Sequence, residues 1–158
     1  MPLKSPPSNL GSIPLTTKTV SVSGLYRVTR FSSGEPFFGH SAANRFDDRS
    51  RPKKRRFGTC YCGFDLETAI AETVLHDEMP VKGKFSVPYG DFAARHLVRF
   101  KGTSLVLANL TGSALKTLVG DGSLSTVMPY DLPQLWAMCH APSSSEGRRH
   151  PIRVSAPQ

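Results

Sequence analysis

Apolar positions recur along this chain with two periods, and the period predicts the element. Leu25, Arg27, Thr29 and Phe31 alternate with Tyr26, Val28 and Arg30, so residues 24–31 read as a strand. Residues 57–62 alternate in the same way, placing Phe57, Thr59 and Tyr61 on one face of a second strand. Gly63-Phe64 breaks that strand, and Asp65 is suited to cap a helix over 66–76. Leu66, Ala69, Ile70, Thr73 and Val74 form its apolar stripe, with Glu72 roughly 130° from the stripe's centre at about 100° per residue. Met79-Pro80 ends the element.

Strand patterns return at 84–87, 96–100 and 104–110. A short helix over 113–119 stops at Gly120-Asp121-Gly122, and Asp131 is placed to cap a last helix carrying Leu132, Leu135, Trp136 and Cys139. Residues 1–22, rich in Pro, Ser and Thr without periodicity, read as a flexible N-terminal segment. After His140 the pattern dissolves again. The layout is therefore a lead over 1–22, one domain over 23–140 and an irregular tail over 141–158. Strands with interspersed short helices, without regular βα alternation or repeats, predict an α+β fold.

Composition narrows the class. The 158 residues suffice for one domain, and 39% apolar residues allow only a modest core. No apolar run is long enough to span a membrane, and the first residues lack the apolar region of a secretory signal. Three cysteines, Cys60, Cys62 and Cys139, are too few and odd in number for a disulfide scaffold, which fits a cytoplasmic location. The formal charge of +8 points to an anionic partner, but the charge is local. Residues 45–56 hold seven cations against Asp47 and Asp48, which supplies +5 of the total. A second basic cluster, Arg148, Arg149 and Arg153, sits in the tail.

Four residues form a candidate constellation. Arg27 and Arg45 offer forked donors that suit a pyrophosphate. Tyr61 could stack on a flat ring, and Glu72 could stabilise positive charge developing at a sugar carbon. By spacing alone the preferred reading of the same four is an ordinary strand arginine, loop arginine, core tyrosine and solvated glutamate. The basic run admits phosphate binding or a solvated loop; no helix-turn-helix or RNA-binding signature accompanies it, so the loop reading is preferred. Cys60 and Cys62, with His40, His76 and His140 elsewhere, make one close pair where structural zinc wants two, so no metal site is expected.

Taken together, Leu25-Tyr26-Arg27-Val28, Asn44-Arg45-Phe46-Asp47-Asp48, Phe57-Gly58-Thr59-Cys60-Tyr61 and Leu66-Glu67-Thr68-Ala69-Ile70-Ala71-Glu72-Thr73 resemble, in order and spacing, the RES domain. That is the toxin family of bacterial RES–Xre toxin–antitoxin modules. Residues 104–111 and 130–137 are similar to the family's following strand and helix. The resemblance implies an ADP-ribosyltransferase-like fold and cleavage of the nicotinamide–ribose bond of NAD, with water or phosphate as acceptor. NAD is then a substrate, and no cofactor is implied. It also implies that Arg27 and Arg45 hold the dinucleotide, that Tyr61 faces the nicotinamide ring and that Glu72 is catalytic at the ribose. The implied partner is an Xre-like, DNA-binding antitoxin, with a homo-oligomer among the assemblies open to that complex. DNA binding would belong to that partner. The segment after Met138 departs from the family: its active-site serine has no counterpart in a matching setting, and Ser143–Ser145 and Ser155 are poor substitutes. The C-terminus is accordingly expected to be truncated or out of frame. Two rival readings remain: a basic nucleic-acid-binding protein, and an inactive RES relative that only binds its antitoxin.

Overall fold

The structure, a computed structural model, describes residues 3–76 and 78–139. The chain divides into two compact units. Unit 1 comprises Met1–Lys18, Phe38–Cys60 and Val106–Gln158; unit 2 comprises Thr19–Phe37 and Tyr61–Leu105.

Unit 1 contains a contiguous hydrophobic cluster of Leu3, Leu10, Phe46, Ala108, Leu110, Leu115, Leu118, Leu124 and Trp136. Its scaffold includes helix α3 (Gly112–Thr117) and helix α4 (Asp131–Cys139). Ala114, Leu115 and Leu118 recur at helical spacing, so one face of α3 and its C-terminal turn enters the core. In α4 the buried residues are Pro133, Gln134 and Trp136, whereas Leu135 and Cys139 are exposed. The helix is thus rotated from the expected stripe, because Trp136 fills the core and its Nε1–H donates to the Lys4 carbonyl at 3.0 Å. Asp131 is the first helical residue rather than a cap, and its carboxylate pairs with Arg49.

The expectation of a flexible lead over 1–22 is corrected here. Leu10 is fully buried in a short 3₁₀ turn, Leu10–Ser12, and Leu3 is buried in the same cluster. Strand β1 (Thr17–Val20) pairs with β4 (Leu105–Ala108), and the division into units falls within both strands. The Asn109 N–H donates to the Thr16 carbonyl at 2.8 Å just beyond the strand end. Sparse apolar residues in a Pro- and Ser-rich stretch find a tertiary site that no local periodicity announces. The tail over 141–158, its basic cluster and His140 lie outside the described residues.

Unit 2 is built on β2 (Tyr26–Thr29) and β3 (His96–Arg99), an antiparallel pair in which Arg27 faces Val98 and Val28 faces Leu97. Helix α1 (Leu66–Ala71) packs on β2. Asp65 caps it as expected, accepting from the Thr68 N–H at 2.6 Å. The helix ends five residues before its expected limit, at Ala71, and Glu72 becomes its C-cap. The expected second strand over 57–62 is replaced by two isolated bridges, Gly39 with Thr59 and Tyr26 with Gly63. Gly63 is required there: a Cβ would lie 2.8 Å from the Ala69 nitrogen and 2.9 Å from the Asp65 carbonyl oxygen. The expected strand over 84–87 does not form: Lys84 closes a tight turn with Val81, and residues 85–88 run without a regular element into helix α2 (Tyr89–Ala93), which the pattern did not predict. Small sheets and short helices of this kind are compatible with α+β.

Candidate functional site

Arg27 leaves β2 with its side chain largely enclosed, 14% exposed. Its Nη1 donates to the Tyr61 carbonyl at 3.0 Å. Its Nε lies 3.0 Å from Oε2 of Glu35, whose side chain is only 7% exposed. Glu35 Oε2 also accepts from the Phe37 N–H at 2.7 Å. Burial raises the Glu35 pKa, but the Phe37 N–H, the adjacent Arg27 guanidinium and Thr29 outweigh it and leave the group below its ordinary value. Glu35 is the first acidic residue of the chain. A lone carboxylate in a cationic stretch is the sequence signal that marks it.

The structure thus brings Arg27 and the Tyr61 backbone together within unit 2. The Tyr61 side chain is half exposed, at 39%. Glu72 follows α1, which packs on the Arg27 strand, and its carboxylate is exposed without an ion pair among the described residues. Its position off the apolar stripe agrees with the periodicity.

Arg45 belongs to unit 1. It sits in the turn that begins at Asn44, donates through Nη1 to the Val127 carbonyl at 2.7 Å and stacks over Tyr130, with Cζ 4.7 Å from the ring centroid. The turn is held from below by two groups. The Gln134 amide donates to the Ala42 and Asn44 carbonyls at 3.1 and 2.9 Å. Asp47, 1% exposed, accepts from Thr59 at 2.5 Å, Ser41 at 2.7 Å and the Asn44 N–H at 3.1 Å. Burial pushes the Asp47 pKa up, and the hydrogen bonds from Thr59, Ser41 and Asn44 more than reverse this. Sequence reasoning counted Asp47 and Asp48 only as charge; both are buried and organise the loop. Within the basic run, Arg56 is braced on the Arg51, His40 and Ser41 carbonyls, while Lys53, Lys54 and Arg55 form an exposed 3₁₀ turn.

A cavity of about 180 Å³ in unit 1 lies among Phe46, Leu110, Leu115, Lys116, Asp121 and Leu124. It touches none of the four candidate residues, and it is smaller than the roughly 300–1,000 Å³ of ordinary ligand pockets. Among the described residues, no group of three or more His, Cys, Asp or Glu side chains is placed to hold a metal ion. Cys60 and Cys62 are half buried. No helix among the described residues is long and apolar enough to cross a membrane.

These features are those of a protein compatible with an α+β class, with an enclosed strand arginine paired to a loop glutamate, an exposed glutamate after the helix packed on that strand, and a separately braced arginine. The RES domain family model matches residues 24–155, and the chain belongs to that family, which is associated with toxin–antitoxin modules and generally paired with an antitoxin partner. The match begins after the N-terminal segment that unit 1 buries, and it runs beyond residue 140 into the tail. Comparison with curated proteins and with solved structures returns no match.

Proposed function

We propose that this chain is an NAD-degrading toxin that cleaves the nicotinamide–ribose bond and is restrained by an Xre-like antitoxin. The observation that carries the reading is the RES-family match combined with an enclosed Arg27 guanidinium bonded to the Tyr61 backbone on the strand that bears α1. In this reading the fold is ADP-ribosyltransferase-like and NAD is the substrate. Arg27 binds the pyrophosphate through its remaining donors. The Tyr61 ring faces nicotinamide. Glu72 accepts a ribose hydroxyl and stabilises the oxocarbenium-like carbon as the C1′–N bond breaks. The bond's electron pair leaves with nicotinamide. An oxygen of water or phosphate then bonds to C1′ and gives up its proton to solvent. Arg45, in the other unit, is assigned to dinucleotide binding by family resemblance alone.

The test is incubation of the purified, folded protein with NAD, with and without phosphate, following free nicotinamide. Release is expected, and Glu72→Ala should lower it by about 100-fold or more. Nicotinamide absent from both buffers would overturn the enzymatic reading. Antitoxin binding in that case would mark an inactive family member.

The exposed Lys53–Arg55 turn favours a second reading, binding of a nucleic-acid backbone. It predicts affinity that falls steeply with salt and is lost in Lys53→Ala/Lys54→Ala. The NAD reading predicts unchanged turnover for that variant.

A further inference from the structure

Arg27 carries five N–H donors, and the structure engages the guanidinium on two flanks, at Nε and at Nη1, with Nη2 between them. Glu35 faces Nε and the Tyr61 carbonyl takes Nη1. Among the described residues Nη2 makes no hydrogen bond, and the Arg27 side chain as a whole is 14% exposed. The carboxylate is not a casual surface partner. Its Oε2 is anchored by the Phe37 N–H, and the segment carrying it is closed against the strand by the Phe31–Phe37 ring contact, with centroids 5.0 Å apart. The Phe31 N–H donates to Thr29 Oγ1 at 3.2 Å at the start of the same loop.

The pair is ionic rather than a finished bidentate hydrogen bond. Arg27 Nε and Glu35 Oε1 are both buried without an aligned hydrogen-bond partner. A carboxylate devoted to stability alone would gain most from the two-bond, fork-to-fork geometry. Here it compensates the enclosed positive charge at Nε and, among the described residues, leaves Nη2 without a hydrogen bond.

We propose that Glu35 is a positioning residue for Arg27, holding Nε while the Tyr61 carbonyl holds Nη1, so that Nη2 is presented to an anionic ligand of the pyrophosphate class. The identity of that ligand as NAD rests on the functional reading above. Two effects of Glu35 on an anion oppose each other. Its charge repels the ligand, while its grip removes the cost of ordering a long side chain at binding. The proposal holds that the second effect wins, which gives the experiment a sign.

The test is calorimetric titration of the full chain with ADP-ribose, which carries the pyrophosphate and lacks nicotinamide, read beside NAD kinetics. Glu35→Gln should weaken ADP-ribose binding about 10-fold and raise KM for NAD by a similar factor, with kcat nearly unchanged. In an Arg27→Ala background, Glu35→Gln should add nothing further. A merely structural role would instead lower apparent kcat through the folded fraction and leave KM in place. Equal or tighter ADP-ribose binding by Glu35→Gln, with Arg27→Ala still impaired, would overturn the role of Glu35 and spare the NAD reading. Failure of the wild type to bind ADP-ribose would overturn both. Should Glu35→Gln not fold, Glu35→Asp, which keeps the charge on a shorter arm, serves in the same comparison.

Discussion

The two units use their apolar residues differently. In unit 1 they converge: Leu3, Leu10, Phe46, Leu110, Leu115, Leu118, Leu124 and Trp136 share one cluster drawn from three separated stretches of chain. In unit 2, Val20, Val22, Leu25, Val28 and Ala69 are buried, but Phe31, Phe37, Phe85, Tyr89 and Phe92 stay about half exposed or more. Unit 2 also carries three of the four candidate residues, Arg27, Tyr61 and Glu72. Stability is therefore concentrated where little of the proposed chemistry resides. The unit with most of the candidate residues adds polar anchors of its own, the Arg27–Glu35 pair and the Asp65 cap. Substitutions should separate these two economies of structure.

The largest effect is expected at Leu10, which lies in a segment outside the family match yet has no exposed surface. Leu10→Ala should lower unfolding free energy by about 3 kcal/mol in urea titration. A change under about 0.5 kcal/mol would show that the N-terminal segment does not belong to the core. By contrast, Glu72→Ala, on an exposed site, should leave stability within about 0.5 kcal/mol while abolishing turnover.

An intermediate effect is expected at Asp47. Its folded pKa lies below the ordinary value of 3.8, so the unfolded state binds the proton more readily. The stabilisation is complete above pH 3.8 and is lost as pH falls through the lower folded value. Asp47→Asn should cost about 2 kcal/mol at pH 7 and flatten the acid limb of stability against pH. An unchanged acid limb would remove Asp47 from its proposed place under the Arg45 turn. Glu35 carries a shift of the same sign in unit 2, so acid weakens both units.

The smallest effect is a gain. Val119 ends the turn after α3 at φ 63°, a left-handed conformation that a β-branched side chain disfavours, and it is exposed. Val119→Gly should raise stability by roughly 0.5–1 kcal/mol, seen as a small rise in Tm. The adjacent Gly120 admits no such exchange, because a Cβ there would meet Leu115 Cδ1 at 2.5 Å.

Much of the secondary structure was legible where period and punctuation agreed. β2, β3 and β4 fall within the expected stretches, α1 starts at its expected Asp65 cap, and α3 begins one residue before its expected start. Agreement failed where partners decide. Residues 57–62 alternate like a strand, yet only Thr59 and the following Gly63 find bridge partners. Residues 80–88 lack a neighbour to pair with and close on themselves at Lys82-Gly83, both with positive φ. For the site, Arg27, Tyr61 and Glu72 were named from residue chemistry and resemblance, and the structure sets them on or beside β2 and α1. Glu35, Asp47, Gln134 and Tyr130 were not named, since each matters through a contact distant in sequence or hidden in a loop.

Residue order alone determined the local choices: alternation against helical spacing, a capping aspartate, glycines at breaks, and the run of short motifs that carries the family. Those depend on interactions within a few residues, which a linear pattern records. Only the tertiary structure decided that the Pro-rich beginning enters a core, that Arg45 stacks on Tyr130, and that Glu35 closes on Arg27. Burial and charge pairing act between groups brought near by folding, and their separation along the chain carries no trace of that proximity.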